Sequence, residues 1–134
     1  MRLLPLAAAL LGALALAVPA SAKTTRAKVV VVKGGQTICF ATIPAEGNGI
    51  GCSSSYLPDT GELDPYVSLN PRGDAQLGER GDYPGYNTPK RTVLRPGDRW
   101  TWRGITCTST PKTITCRNRD RQGFTIGPDG YAAL

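Results

Sequence analysis

A chain of 134 residues with 16 Lys+Arg against 10 Asp+Glu has the length of one ordinary domain and a formal charge of +6, and it contains no histidine. The missing imidazole excludes Ser-His-Asp and Cys-His catalysis and every histidine-ligated metal site. Four cysteines, an even number, suit a disulfide framework rather than thiolate nucleophiles.

The first 22 residues are an address. Arg2 follows the initiating Met1, residues 3–18 are almost wholly apolar, and Pro19-Ala20-Ser21-Ala22 ends in a small-x-small cleavage pattern. The apolar run is shorter than the ~20 residues that cross a bilayer. Residues 1–22 are therefore expected to be a signal peptide cleaved after Ala22, with residues 23–134 forming a single secreted β domain. No further membrane span is expected after cleavage, and nucleic acid is an unsuitable target for an exported chain.

Charge is unevenly distributed in that domain. Residues 44–87 carry seven acids against two bases, whereas residues 88–121 carry nine bases against two acids. An acidic middle and a basic end either neutralise each other on folding or leave a basic face for an anionic partner.

In chain order, residues 27–32 form a continuous apolar, β-branched run, and Lys33-Gly34-Gly35-Gln36 turns the chain. Strands are predicted at 37–42 and 50–54, separated by the turn formers of 44–49. Residues 56–89 are rich in Pro, Gly, Asp and Asn, and only 66–69 resembles a strand, so a long loop is expected. Regular structure resumes at 91–94, turns at Arg95-Pro96-Gly97-Asp98, and alternates cleanly through Arg99-Trp100-Thr101-Trp102-Arg103. Two Ile-Thr-Cys units, Ile105 to Cys107 and Ile114 to Cys116, flank a Ser-Thr-Pro-Lys turn signal. If that turn centres between Pro111 and Lys112, Cys107 faces Cys116. Ile105, Cys107, Ile114 and Cys116 then share a core face, and Thr106, Thr108, Thr115 and Arg117 share a wet one. A last strand follows at 123–126, and Gly127 to Gly130 turns the chain into Tyr131. No stretch carries a sustained helical period.

The fold expected is all-β, a small antiparallel sandwich or partly open barrel of six to eight short strands with little helix. Four cysteines allow three connectivities. Local pairing, Cys39 with Cys52 and Cys107 with Cys116, is favoured because each pair brackets a turn signal between strand-like arms. Zinc is disfavoured by the absence of a close Cys-x-x-Cys knuckle. Thr-Ile-Cys at 37–39 and Ile-Gly-Cys at 50–52 echo the later Ile-Thr-Cys units, a faint internal repeat.

Several motifs invite chemistry. Asp59-Thr60-Gly61 spells the tripeptide around an aspartic-protease carboxylate, but Pro58 precedes it and no second copy exists, so a turn is expected. Asp59, Glu62 and Asp64 could surround calcium or, as a pair, hydrolyse a glycoside, but such a loop is poor in acids for the six to eight oxygens that calcium takes. Arg72-Gly73-Asp74 and Arg80-Gly81-Asp82 both spell an integrin-type tripeptide and are expected to be turns. Trp100 and Trp102 share a face and are a candidate aromatic platform for a sugar, with core packing the competing role. Arg99, Arg103, Arg117, Arg119 and Arg121 are candidate anion-binding residues, with a solvated protective edge as their competing role. No catalytic, metal or cofactor site is expected.

The order Asn48-Gly-Ile-Gly-Cys52, Gly97-Asp98-x-Trp100, Gly104-Ile-Thr-Cys107, Ile114-Thr-Cys-Arg-Asn118, Gly123-Phe124 and Tyr131 resembles a family of small secreted actinobacterial domains of unknown function. In that family Gly-His precedes the Gly-Phe pair, whereas Arg121-Gln122 stand here. The resemblance implies compartment and fold type, not an activity. The expected function is that of a non-enzymatic binding module in the cell envelope or extracellular space, acting on an anionic polymer or another protein. The alternatives are a secreted enzyme inhibitor presenting the 56–89 loop and, more remotely, a histidine-free carboxylate hydrolase.

Overall fold

The two Ile-Thr-Cys units form the expected clipped hairpin. Cys116 pairs directly with Cys107 and Arg117 with Thr106, so the isoleucines and cysteines point inward and the threonines outward. Lys112, at φ 67, supplies the left-handed step of the two-residue turn.

The computed structural model describes residues 22–34, 36–59, 61–82 and 90–134. Residues 1–21 of the expected signal peptide and the end of the expected loop, 83–89, lie outside the described residues. The strands are β1 (Thr24–Thr25), β2 (Val29–Val32), β3 (Thr37–Ala41), β4 (Ile50–Ser54), β5 (Asp64–Leu69), β6 (Gln76–Arg80), β7 (Thr92–Leu94), β8 (Arg99–Trp102), β9 (Ile105–Thr110), β10 (Thr113–Arg117), β11 (Gly123–Gly127) and β12 (Gly130–Ala133). Helix is confined, among the described residues, to a single 3-10 turn at Pro44–Glu46.

These strands form two six-stranded sheets, β1-β8-β9-β10-β11-β12 and β6-β5-β4-β3-β2-β7. The sheets pack as a sandwich whose edges stay open, so the barrel alternative does not apply. More strands form than the six to eight expected. Part of the excess is β6, in a stretch expected to be loop, and the rest is short edge pieces whose extended conformation comes from a neighbour rather than from their own apolar pattern.

Each sheet is a five-strand antiparallel meander, β2 to β6 or β8 to β12, with a short parallel strand on its first member. The short strands are exchanged. β1 precedes the first meander but pairs with β8, and β7 precedes the second meander but pairs with β2. Registers match across the two halves. Val30, Cys39, Cys52 and Val67 form one cross-strand row, and Trp100, Cys107, Cys116 and Phe124 form the other. Ile50 opposite Leu69 corresponds to Ile114 opposite Ile126. The faint echo of Ile-x-Cys units in the sequence is thus a structural repeat.

Both rows turn inward and merge in one core. Both disulfides, Cys39–Cys52 and Cys107–Cys116, sit inside it at equivalent places and clip the second strand of each meander to the third. Each fully buried Val, Leu, Ile or Phe contributes about 1.5–3 kcal/mol relative to exposure. Trp100, 1% exposed, is the largest of the fully buried side chains among the described residues, and its Nε1–H donates to the Ala27 carbonyl at 2.8 Å, tying β8 to the linker between β1 and β2.

Polar contacts close one end of the sandwich. Buried Asn118, between β10 and β11, donates from Nδ2 to the carbonyls of Asn70 and Gly73 between β5 and β6, at 3.1 and 2.7 Å. Its Oδ1 accepts from the amides of Asp120 and Gln122. Asp120 in turn accepts from the Gly73 amide at 2.8 Å and from Arg72 at 2.7 Å. The first Arg-Gly-Asp tripeptide is therefore engaged in joining the sheets. In the second, Arg80 pairs with Glu46 at 3.0 Å and lies over the rings of Phe40 and Tyr66 on the outside of the other sheet.

The strand-like stretch 66–69 lies in β5 as expected, and the rest of the expected 56–89 loop is corrected over 64–80, where β5 and β6 form a paired hairpin continuous with β4. Pro65, Gly78 and the charged residues of this stretch mask its strand character. Partners on both sides of β5 supply what its composition lacks.

Candidate functional site

Because β8 to β11 bury alternate residues, the opposite set lines one solvent face. Arg99, Thr108, Thr115 and Thr125 form a row across four strands. Thr101, Thr106 and Arg117 form the next, and Thr110 beside Thr113 a third. Sheet geometry repeats these positions about every 4.8 Å across strands and 6.8 Å along them. The Oγ1 atoms of Thr115 and Thr125 lie 3.0 Å apart. Between strands β8 and β11 no outward position carries a carboxylate. The face is thus a hydroxyl grid with Arg99 and Arg117 standing on it.

Two turns extend the basic character beyond one end of the grid. The β8–β9 hairpin uses Arg103 and Gly104, both at positive φ (46° and 82°), the twist-matched two-residue turn of antiparallel pairs. Arg119 packs against Gly104, where a Cβ would collide with its guanidinium stem. Arg117 Nη1 donates to the Arg121 carbonyl at 2.9 Å, so Arg117 leans along the following turn. Arg99, Arg103, Arg117, Arg119 and Arg121 are all exposed, and none of them forms an ion pair among the described residues. The acidic middle therefore does not neutralise this row. Among the described residues, Glu46 of the acidic middle pairs with Arg80, and Arg72 pairs with Asp120.

The aromatic pair divides. Trp100 is corrected from platform candidate to core residue, because the period-2 alternation that pairs it with Cys107 aims it between the sheets. Trp102 is half-buried at the rim, under the Arg103 guanidinium at 5.9 Å from its ring. Arg26, Thr101, Trp102, Arg103 and Gly104 line an open cleft of about 360 Å³ there. Arg26 joins this cleft from just after the strand exchanged onto β8, which a charge count over 88–121 does not reveal. The outward row from Arg99 to Thr125 is only partly legible in the sequence, because Thr125 lies on a strand that sequence alone does not place beside β10.

Asp59, Glu62 and Asp64 line a second open cleft of about 470 Å³ with Ser53, Ser54 and Ser55. Among the described residues no three Asp, Glu or Cys side chains converge as metal ligands. Thr60 of the Asp-Thr-Gly tripeptide lies outside the described residues.

Two carboxyls elsewhere are held below the usual carboxylate range. Asp120 is lowered by the Gly73 amide and then by Arg72. Asp98 is lowered by the amides of Lys23 and Arg95 against a smaller opposing effect of burial. Both are acceptors fixed by backbone donors, the arrangement that favours a carboxylate anion.

No family model matches this chain, and neither a curated protein nor a solved structure does.

Proposed function

We propose that the protein is an exported, non-enzymatic binding module whose threonine and arginine face grips an anionic polymer of the cell envelope or extracellular space. The observation that carries this reading is the outward face of β8 to β11: a hydroxyl grid free of carboxylates, with Arg99 and Arg117 on it and Arg103, Arg119 and Arg121 at one end. Hydroxyls bond polymer oxygens at the sheet repeat while guanidiniums hold phosphate or carboxylate groups by paired N–H bonds. Arg26 and half-buried Trp102 in the adjoining cleft add a stacking surface at the same end.

Export supports the reading. The cleavable leader of residues 1–22, the resemblance to secreted actinobacterial domains and two disulfides all suit an oxidising exterior. No helix among the described residues is long and apolar enough to cross a membrane. An inhibitor with a projecting loop has less to stand on, since residues 64–80 are paired into a sheet.

Retention on an anionic wall polymer and on a neutral polysaccharide, measured against salt, tests the proposal. Binding to the anionic polymer at low ionic strength should fall as the screening length shortens from about 30 Å at 0.01 M to about 8 Å at 0.15 M. Arg99→Glu with Arg117→Glu should abolish it without lowering the melting temperature. No retention at low salt overturns the proposal, and equal retention on the neutral polymer assigns recognition to the hydroxyl grid alone.

A further inference from the structure

The exchanged strand β1 is two residues long, too short to hold itself against β8 by ladder bonds alone. Beyond the Trp100–Ala27 bond after it, its hold comes from the residue before it. The Lys23 carbonyl accepts from the Arg99 amide at 2.7 Å, and the Lys23 nitrogen donates to Asp98 Oδ1 at 3.0 Å. Asp98 is 8% exposed, and the rest of it is already committed. Its Oδ2 accepts from the Arg95 amide at 2.9 Å, and its own amide and carbonyl bond Arg95 and Ser109. Among the described residues, the donor that reaches Oδ1 from outside the 95–98 turn is the Lys23 nitrogen.

That nitrogen belongs to the bond at which the leader is expected to be cut. We infer that Asp98 is the docking site of the protein's own mature N-terminus, so that removal of residues 1–22 fastens the exchanged strand. The inference rests on the signal-cleavage reading given above. Hydrolysis by a signal peptidase adds water across the Ala22–Lys23 amide. Hydroxyl goes to the Ala22 carbonyl carbon, which becomes a carboxylate, and hydrogen to the Lys23 nitrogen, which takes a further proton at neutral pH. A neutral amide donor thereby becomes an ammonium in the place it already occupies, and a charge-assisted bond is roughly twice as strong as a neutral one. Before cleavage the last exchange contact is weak, which suits a chain that crosses a membrane unfolded. After cleavage the same contact locks the two halves together.

The charged groups around the pair are few. Asp98 faces the new ammonium directly, and the side chains of Lys23 and Arg95 act on the same carboxylate. The carboxylate raises the α-amino group above its ordinary value of about 7.7–8.0. The added stability is therefore complete below that value and disappears as pH rises through the raised one.

The experiment expresses the full chain in an exporting host and determines the N-terminal residue of the recovered protein. Thermal unfolding is then followed from pH 6 to 10 for that protein, for Asp98→Asn, and for a chain with Gly-Ser inserted between Ala22 and Lys23. The recovered chain should begin at Lys23. It should melt about 4 °C above the insertion chain at pH 6, with the gap closing above pH 9. A chain that begins at Lys23 but melts with the insertion chain at every pH overturns the docking and leaves export standing. A chain that begins elsewhere overturns the cleavage reading and the docking with it. The insertion chain retains Asp98, so the comparison survives if Asp98→Asn does not fold.

Discussion

Removing the disulfides one pair at a time tests whether the two halves are energetically as alike as their registers. Cys107–Cys116 spans 9 residues of sequence and Cys39–Cys52 spans 13. The loop-closure relation assigns these spans about 2.6 and 2.9 kcal/mol at 25 °C, a difference of only about 0.3 kcal/mol. All four cysteines are fully buried, each in the middle of a four-strand row. Paired Cys→Ala replacement therefore adds a cavity cost to the loop term, whereas reduction leaves the sulfurs in place. Urea unfolding of the Cys39→Ala/Cys52→Ala and Cys107→Ala/Cys116→Ala chains, with and without reductant, separates the two contributions. Each pair should lower the unfolding free energy by at least about 2.5 kcal/mol, and the urea slope should rise because the unfolded chain exposes more surface. Losing both should remove about 5.5 kcal/mol from the loop terms, a large share of a typical domain's 5–15 kcal/mol. A difference of more than about 1.5 kcal/mol between the pairs would refute the equivalence of the halves.

Gly51→Ala should destabilise by about 1–3 kcal/mol in the same assay, because its Cβ would stand 2.7 Å from the Phe40 ring and push it from beneath Arg80. The inter-sheet clamp predicts an acid-side effect. Asp120 is held below its ordinary value of 3.8, so its contribution is present above that pH and is lost as pH falls through the lowered value. Melting temperatures from pH 2 to 6 should fall on the acid side for the natural chain and less steeply for Asp120→Asn, in which lowered Asp98 still contributes; parallel curves would show that the clamp contributes nothing.

Much of this protein was legible from local chemistry. Period-2 alternation around Cys107 and Cys116 fixed which atoms face inward, because a strand has only two faces and the cysteines had to share one. The same logic placed both local disulfides and the all-β class. Within 64–80 only the strand at 66–69 was legible; β6 was not, because Gly78 and the interspersed charges resemble a loop until β5 supplies a partner. Trp100 and Trp102 share a face, but how deep each sits depends on the opposing sheet, which buries one and leaves the other at the rim.

Short-range facts could be read from the chain alone: strand, turn, inward face and half-cystine partner, settled by sterics and burial within spans no longer than the 13-residue separation of Cys39 and Cys52. Tertiary structure alone decided the exchange of β1 and β7, which brings Lys23 to Asp98 across 75 positions and Arg26 to the cleft beside Trp102. A two-residue strand carries too few apolar contacts to announce its partner. Its position is the lowest-energy way to cover an edge that only the assembled sheet presents.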